Sequence, residues 1–332
     1  MMKFHAIDVD KKIKQDDDMS LKIEKQKGCE SVGRQILLSI KFFFVYLFLF
    51  LTKDVPRFFY LKRKNVQGQT ILITGGAMGI GRRLAEKMAI NEKCKVIILD
   101  INEKEGLRAK EEITASGGSV YFYKCNVTSS KDLNEVKKDI LSNPELGRVD
   151  ILVCNAAILK IGELKDLTEN DYRISNDVNI LGYILTTKTF IKEMMEINRG
   201  QIVFIGSICS FFGDYCGSAY CTAKFAIRGF LESVRVELID GGYDNIITTI
   251  IHPYFVKTSL VTDQIKDPYS TFFDVISVEE CVDSAIDGIL KERHEVFIPG
   301  RLSFFCYNLK CLQTVGVFKE ALKFLNFKHD PL

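Results

Sequence analysis

The stretch Gly75-Gly76-Ala77-Met78-Gly79-Ile80-Gly81 constrains this chain more than any other. An apolar, β-branched run, Thr70-Ile71-Leu72-Ile73-Thr74, precedes it, and a helical pattern begins at Arg82. A strand that turns through glycines into a helix lets the backbone come close to a pyrophosphate. The start of that helix then offers free N–H groups and the positive end of its dipole to the anion. Thr74, Gly75, Gly79, Ile80 and Gly81 are therefore expected to contact a dinucleotide. Asp100 ends the next apolar run, nineteen residues beyond Gly81. A spacing of ~20 residues puts a carboxylate against the adenosine ribose. A carboxylate there repels a 2′-phosphate, and neither Met78 nor Ile101 is basic. NAD is the expected cofactor rather than NADP.

The same alternation continues from about Gly68 to Pro299. Runs at 70–74, 95–100, 120–125, 149–154, 201–205, 246–251 and 295–298 are separated by longer helical patterns. Short apolar runs between helices read as parallel strands covered on both faces. The expected fold is α/β: a doubly wound (Rossmann) seven-stranded parallel sheet, spanning residues 65–300. A net charge of +2 gives no strongly basic face, so no nucleic-acid partner is expected. The ten cysteines are scattered without a C-x-x-C pair, which points to a reducing compartment and no metal site.

Two additions flank this domain. Residues 1–35 are polar and mixed in charge, a solvated flexible arm. From Ile36 to Leu51 the one strongly polar residue is Lys41. Sixteen helical residues reach roughly 24 Å at ~1.5 Å each, marginal against a hydrocarbon slab of ~30 Å. With Pro56 and an interfacial Phe58-Phe59-Tyr60-Leu61 after it, residues 36–64 read as a membrane anchor in contact with membrane lipid. Residues 52–64 hold five Lys/Arg against Asp54 alone, which favours the cytosolic side for everything downstream. Beyond Pro299, residues 301–332 interleave apolar side chains with lysines. They form an amphipathic extension that faces a membrane, packs on the domain, or packs on the second subunit of a homodimer.

The chemistry is expected from Tyr220-Cys221-Thr222-Ala223-Lys224. Positions i and i+4 share a helix face, so phenol and ammonium approach one site. A free phenol, pKa ~10, is a poor base at neutral pH. A neighbouring ammonium and an oxidised nicotinamide both favour the phenolate. Ser207, thirteen residues earlier, ends the fifth strand, at the sheet edge where such folds bind ligands.

With the glycine loop and Ser207 at this spacing, the chain resembles a short-chain dehydrogenase/reductase over roughly residues 68–300. That family implies a Ser-Tyr-Lys triad, met here by Ser207, Tyr220 and Lys224, and a helical Asn, met by Asn179, that holds a water linking Lys224 to solvent. It also implies cofactor contacts at Asn126 and Val127, at Asn155 and Ala156, and at Pro253, Val256 and Thr258. The chain departs from the family at several points. N-N-A-G appears as Cys154-Asn155-Ala156-Ala157, the Asp beside adenine is Asn126, and P-G is Pro253-Tyr254. The apolar anchor, L-D-I-N (Leu99 to Asn102), Y-C-x-x-K-F-A (Tyr220 to Ala226) and P-x-F-V-x-T (Pro253 to Thr258) are similar to the membrane-bound 16C group. That group includes the 17-beta-hydroxysteroid dehydrogenases 11 and 13 and the epidermal retinol dehydrogenases. The resemblance implies NAD-dependent oxidation of a lipophilic alcohol on endoplasmic reticulum or lipid-droplet membranes. Ile208 to Tyr215 and Ser259 to Val275, with Phe272 and Phe273, are then expected to line an apolar pocket and its lid. Two alternatives stand beside this reading: an NADPH-linked reductase of lipid carbonyls, and a membrane scaffold of low activity that keeps the fold.

Overall fold

The structure is a computed structural model and describes residues 32–55, 61–269, 274–309 and 328–331, with isolated helical positions at 316 and 320. The chain divides into two units, Met1–Leu61 and Lys62–Leu332. In the first, helix α1 (Val32–Leu49) continues into a π turn over Phe50–Asp54. It starts four residues before the expected apolar run, because Val32 to Gln35 simply extend the helical ladder. The stretch Arg34–Thr52 is 19 residues long, about 28 Å at ~1.5 Å per residue. It is long and apolar enough to cross a membrane, and none of it is buried. The polar arm of residues 1–31, and Pro56 to Tyr60 in the anchor, lie outside the described residues.

The second unit carries strands β1 (Thr70–Thr74), β2 (Lys95–Asp100), β3 (Ser119–Lys124), β4 (Ile151–Cys154), β5 (Gly200–Ile205) and β6 (Ile246–Pro253). Helices α2 (Gly79–Ile90), α3 (Glu103–Ala115), α4 (Ser130–Ser142), α5 (Glu169–Asn176), α6 (Gly182–Glu196) and α7 (Ser218–Asp240) run between them. After α8 (Ser259–Thr262) come β7 (Ile265–Tyr269), α9 (Val278–Leu290), β8 (Glu295–Ile298), α10 (Leu302–Phe304) and β9 (Lys328–Pro331).

Seven strands form a parallel sheet in the order β3-β2-β1-β4-β5-β6-β8. Both faces are covered, as the uninterrupted apolar strands require. On one face Ile71, Ile73, Val96 and Ile98 pack with Leu84 of α2, Ala109 of α3 and Ile286 of α9. On the other, Leu72, Ile97, Leu99 and Phe204 pack with Leu133 of α4, Phe190 of α6 and Leu231 of α7. The strand order reverses between β1 and β4, the crevice where doubly wound sheets hold ligands. Outside this sheet, β7 pairs antiparallel with β9. Neither had an apolar alternation to announce it: the segments read Ile-Lys-Asp-Pro-Tyr and Lys-His-Asp-Pro. Most of the expected C-terminal amphipathic extension, 310–327, lies outside the described residues apart from positions 316 and 320. Within 302–309, Leu302 and Cys306 are buried while Phe304 and Tyr307 are exposed.

Candidate active site

The switch point is held by one hydroxyl. Thr74 Oγ1, at the end of β1, accepts the N–H of Asn155 at 3.0 Å and of Ala156 at 3.1 Å, just past β4. Asn155 replies through its amide, donating to the carbonyls of Thr74 (3.0 Å) and Gly75 (2.9 Å). The glycine loop is packed too tightly for side chains. A Cβ at Gly81 would stand 2.2 Å from Gly75 O, and one at Gly75, where φ is +64°, 2.7 Å from Ala156 Cα. Helix α2 therefore starts directly above β1, and its N-cap, Met78, makes no side-chain capping bond. The first amides of α2 face outward from a bare helix start, which fits an anionic pyrophosphate. Thr74, Gly75, Gly79, Ile80 and Gly81 thus lie together at the turn from β1 into α2.

Asp100 stands at the end of β2 with one oxygen accepting Ala77 N–H (3.0 Å) and the other Asn102 N–H (2.9 Å). The carboxylate thus shapes the loop as well as presenting charge, since each oxygen has more than one acceptor position. Met78 and Ile101 flank it, both exposed, and neither brings a positive charge. Asn126 turns its side-chain oxygen inward to Thr128, accepting from the backbone N–H (3.1 Å) and the hydroxyl (3.0 Å). Val127 is buried against α6 at Gly182.

Across the crevice, the C-terminal edges of β4, β5 and β6 enclose a cavity of about 100 Å³. Asn155, Ser207, Tyr220, Lys224, Pro253 and Thr258 all line it. Val256 lines it too, and an isolated bridge to Ile276 fixes its backbone. Tyr220 and Lys224 lie one turn apart on α7, as i and i+4 require. The Lys224 ammonium donates to Ile205 O at 2.9 Å and sits 5.4 Å from the Tyr220 ring centroid. Ser207 caps the short turn Ile208–Ser210, its Oγ accepting Cys209 N–H at 3.1 Å. Of the expected apolar lining, Ile208, Leu260 and Val261 are in place; Phe272 and Phe273 lie outside the described residues.

Matching the profile of the short chain dehydrogenase family, residues 69–268 take in the loop, the triad and the cavity wall. The chain is 31% identical over 274 residues to human 17-beta-hydroxysteroid dehydrogenase 13, covering 81% of this chain and 86% of that one. It is 31% identical over 289 residues to short-chain dehydrogenase/reductase family 16C member 6 of Bos taurus, covering 86% and 88%. The chain is a short-chain dehydrogenase of the 16C group. Its fold is shared with a short-chain dehydrogenase/reductase from Burkholderia phymatum, solved in complex with NAD, at TM-score 0.65 and 18% identity over 75% of this chain and 97% of that one.

In this dehydrogenase the electrostatics of the triad differ from the expectation drawn from Tyr220 and Lys224 alone. Burial pushes the Tyr220 phenol well above its usual range, and Ser207 opposes that weakly. Burial also pulls the Lys224 ammonium down to about 8. The Lys224 ammonium lies 5.4 Å from the centre of the Tyr220 ring, and burial is the largest influence on the phenol. Asn179 is likewise committed. Its Oδ1 accepts Ile158 N–H (2.9 Å), and its Nδ2 donates to Ile158 O (2.9 Å) and Ser175 Oγ (3.2 Å). The side chain clips the loop after β4 to a π turn (Asp177–Leu181).

Two residues of the dehydrogenase escaped notice in the sequence. Tyr183, four positions after Asn179, donates its hydroxyl to Ile205 O (3.0 Å), the acceptor Lys224 uses, and its ring lies 5.4 Å from the ammonium. The i, i+4 spacing was a usable signal. His252 packs between Phe211 and Phe297 with Nδ1 3.2 Å from Ser207 O. Burial pulls it down to about 3, so it is neutral, and that acceptor selects the Nδ1–H tautomer. Nothing in His252-Pro253 marked it.

Proposed function

We propose that the dehydrogenase is a membrane-associated, NAD-dependent enzyme that oxidises a lipophilic secondary or primary alcohol, of the retinol or 17-beta-hydroxysteroid kind, to its carbonyl. The observation that carries this reading is the convergence of Ser207, Tyr220 and Lys224 on one cavity wall opposite the glycine loop. The apolar rim, with Ile208, Leu260 and Val261, suits a lipid alcohol. Asp100, without a basic neighbour at Met78 or Ile101, supports NAD. The apolar Arg34–Thr52 helix and the Lys/Arg cluster after it support an anchor in endoplasmic reticulum or lipid-droplet membrane with the catalytic unit in the cytosol.

A bound nicotinamide supplies the hydride acceptor. Ser207 holds the alcohol oxygen through its hydroxyl and steadies charge on it. Tyr220 takes the hydroxyl proton once the phenol has been ionised, and its burial means that ionisation requires positive charge close by. Lys224 supplies that charge. One of its three N–H donors is spent on Ile205 O, which fixes the ammonium while the others remain for a ribose hydroxyl and the proton path. Tyr183 and Asn179 hold this arrangement from behind, through Ile205 O and Ile158.

Full-length protein in detergent, assayed with retinol, 17-beta-hydroxysteroids and long-chain alcohols against NAD and NADP, tests the reading. Carbonyl formation with NAD, lost in Tyr220→Phe by roughly 10²–10⁴-fold while nucleotide binding persists, is the expected result. Turnover retained by that variant removes Tyr220 from its role.

A further inference from the structure

We propose that His252 is a positioning residue for the reaction: from within the core its imidazole holds the backbone of Ser207, and through it the hydroxyl that orients the alcohol. This inference rests on the catalytic reading above, in which Ser207 holds the substrate oxygen. His252 is wholly buried on β6, while Ser207 and the neighbouring Pro253 line the cavity. Where β5 leaves the sheet, Gly206 N–H donates to Ile251 O at 2.8 Å. The next rung of a parallel ladder would take an N–H from residue 253, and proline has none. The imidazole takes over at that point, with Nδ1 3.2 Å from Ser207 O. Glycine at 206 permits the approach, because a Cβ there would crowd Ile251 O (3.0 Å) and His252 Nδ1 (3.1 Å).

Ser207 O also accepts Ser210 N–H (2.9 Å), and Ser207 Oγ accepts Cys209 N–H (3.1 Å). A hydroxyl has one proton and two lone pairs, so Oγ keeps its O–H and one lone pair for the alcohol. Carbonyl and side chain are both tied to the Ile208–Ser210 turn, so the direction of Oγ follows the placement of that turn. His252 ties the turn to β6.

Stability alone does not account for an imidazole here. Phe297 stacks on the ring (centroids 5.0 Å apart, planes at 29°) and Phe211 meets it edge-on (4.9 Å, 76°), a slot that suits a phenyl ring equally well. The second nitrogen, Nε2, is buried with no hydrogen-bond partner among the described residues. A buried acceptor left without a donor destabilises the fold, and a phenyl ring carries no such atom. The nitrogen put to use is Nδ1, and its partner is Ser207.

Two substitutions separate the donor from the ring. His252→Phe keeps the aromatic slot filled and removes the donor. His252→Asn gives up the ring but sets an amide nitrogen the same number of bonds from Cα as Nδ1. Full-length protein in detergent is assayed with the alcohol that the parent oxidises, each rate normalised to bound nucleotide. The Phe variant is expected to melt no lower than the parent and to keep its KM for NAD, while kcat falls roughly 10–100-fold. The Asn variant is expected to melt lower yet recover most of the turnover per folded molecule. A Phe variant with the parent's kcat, or an Asn variant as slow as the Phe variant, overturns the proposal. A parent that oxidises no alcohol counts instead against the catalytic reading. In that case crystal structures decide: Ser207 Oγ moved away from Cys209 N–H in His252→Phe but not in His252→Asn upholds the role of His252, and an unmoved Oγ overturns it.

Discussion

Replacing Thr74 by Val removes a single oxygen while keeping the side chain's shape, and it tests how the crevice is held together. Thr74 is buried, and its hydroxyl accepts two backbone N–H groups, from Asn155 and Ala156. Neither has another acceptor among the described residues. Leaving a buried donor without a partner costs ~1–3 kcal/mol. Two such donors, partly reached by water through the cavity, put the loss at about 2–4 kcal/mol. For a domain of this size ~1 kcal/mol moves the melting temperature by ~2–4 °C, so a fall of roughly 5–12 °C is expected. Thr74→Ser keeps the oxygen but loses a methyl, worth ~0.8 kcal/mol. The diagnostic is therefore the order: Ser above Val, although Val fills the core better. Thermal unfolding of the three proteins in one detergent measures it. A Val variant as stable as the parent, or more stable than the Ser variant, refutes the idea that this hydroxyl clamps β1 to β4.

Lys224→Met is expected to abolish turnover yet raise stability at pH 7. Burial lowers the Lys224 ammonium from 10.5 to about 8, a penalty on the order of 3 kcal/mol that is full below pH 8 and relieved as pH climbs toward 10.5. The gain, followed by chemical denaturation, should shrink over that interval, and a flat difference contradicts it. His252 behaves in the acid range. With its folded pKa near 3, below the ordinary 6.5, its contribution is complete above pH 6.5 and is lost on acidification, by about 1.4 kcal/mol per pH unit; His252→Gln should remove that part of the slope. Pairing Asp100→Asn with Ile101→Arg should move nucleotide preference toward NADP while an acceptor oxygen still holds Ala77. Unchanged relative affinities in a binding titration contradict the ribose assignment.

The sheet was legible because its strands are buried on both faces, which forces near-continuous apolar runs such as Ile71 to Ile73 and Val96 to Leu99. The loop and the Tyr-Lys pair were legible because backbone approach demands glycine and helical pitch demands i, i+4. What escaped depended on contacts between segments far apart in the chain. Asp100 reads as a ribose acceptor, but nothing local says that Ala77 N–H also binds it. Asn179 reads as part of a proton path, but nothing local says that its amide also holds Ile158, twenty-one residues away. The phenol's acidity is suppressed chiefly by burial, and burial belongs to the folded state. The His252 contacts appear only once β6 and the Ser207 turn meet. The pairing of β7 with β9 has no periodic signal at all.

Phe42 to Leu51 places ten consecutive apolar side chains in the open, far more oily surface than a monodisperse particle tolerates in water. Any well-behaved preparation must have acquired a coat, whether detergent, lipid or further copies of itself. Under such a coat, the quantity that governs encounter with a greasy reactant is its mole fraction in that coat, not its molarity in the tube. Dilution with buffer would then leave the reaction rate nearly unchanged, while dilution with empty vesicles would slow it.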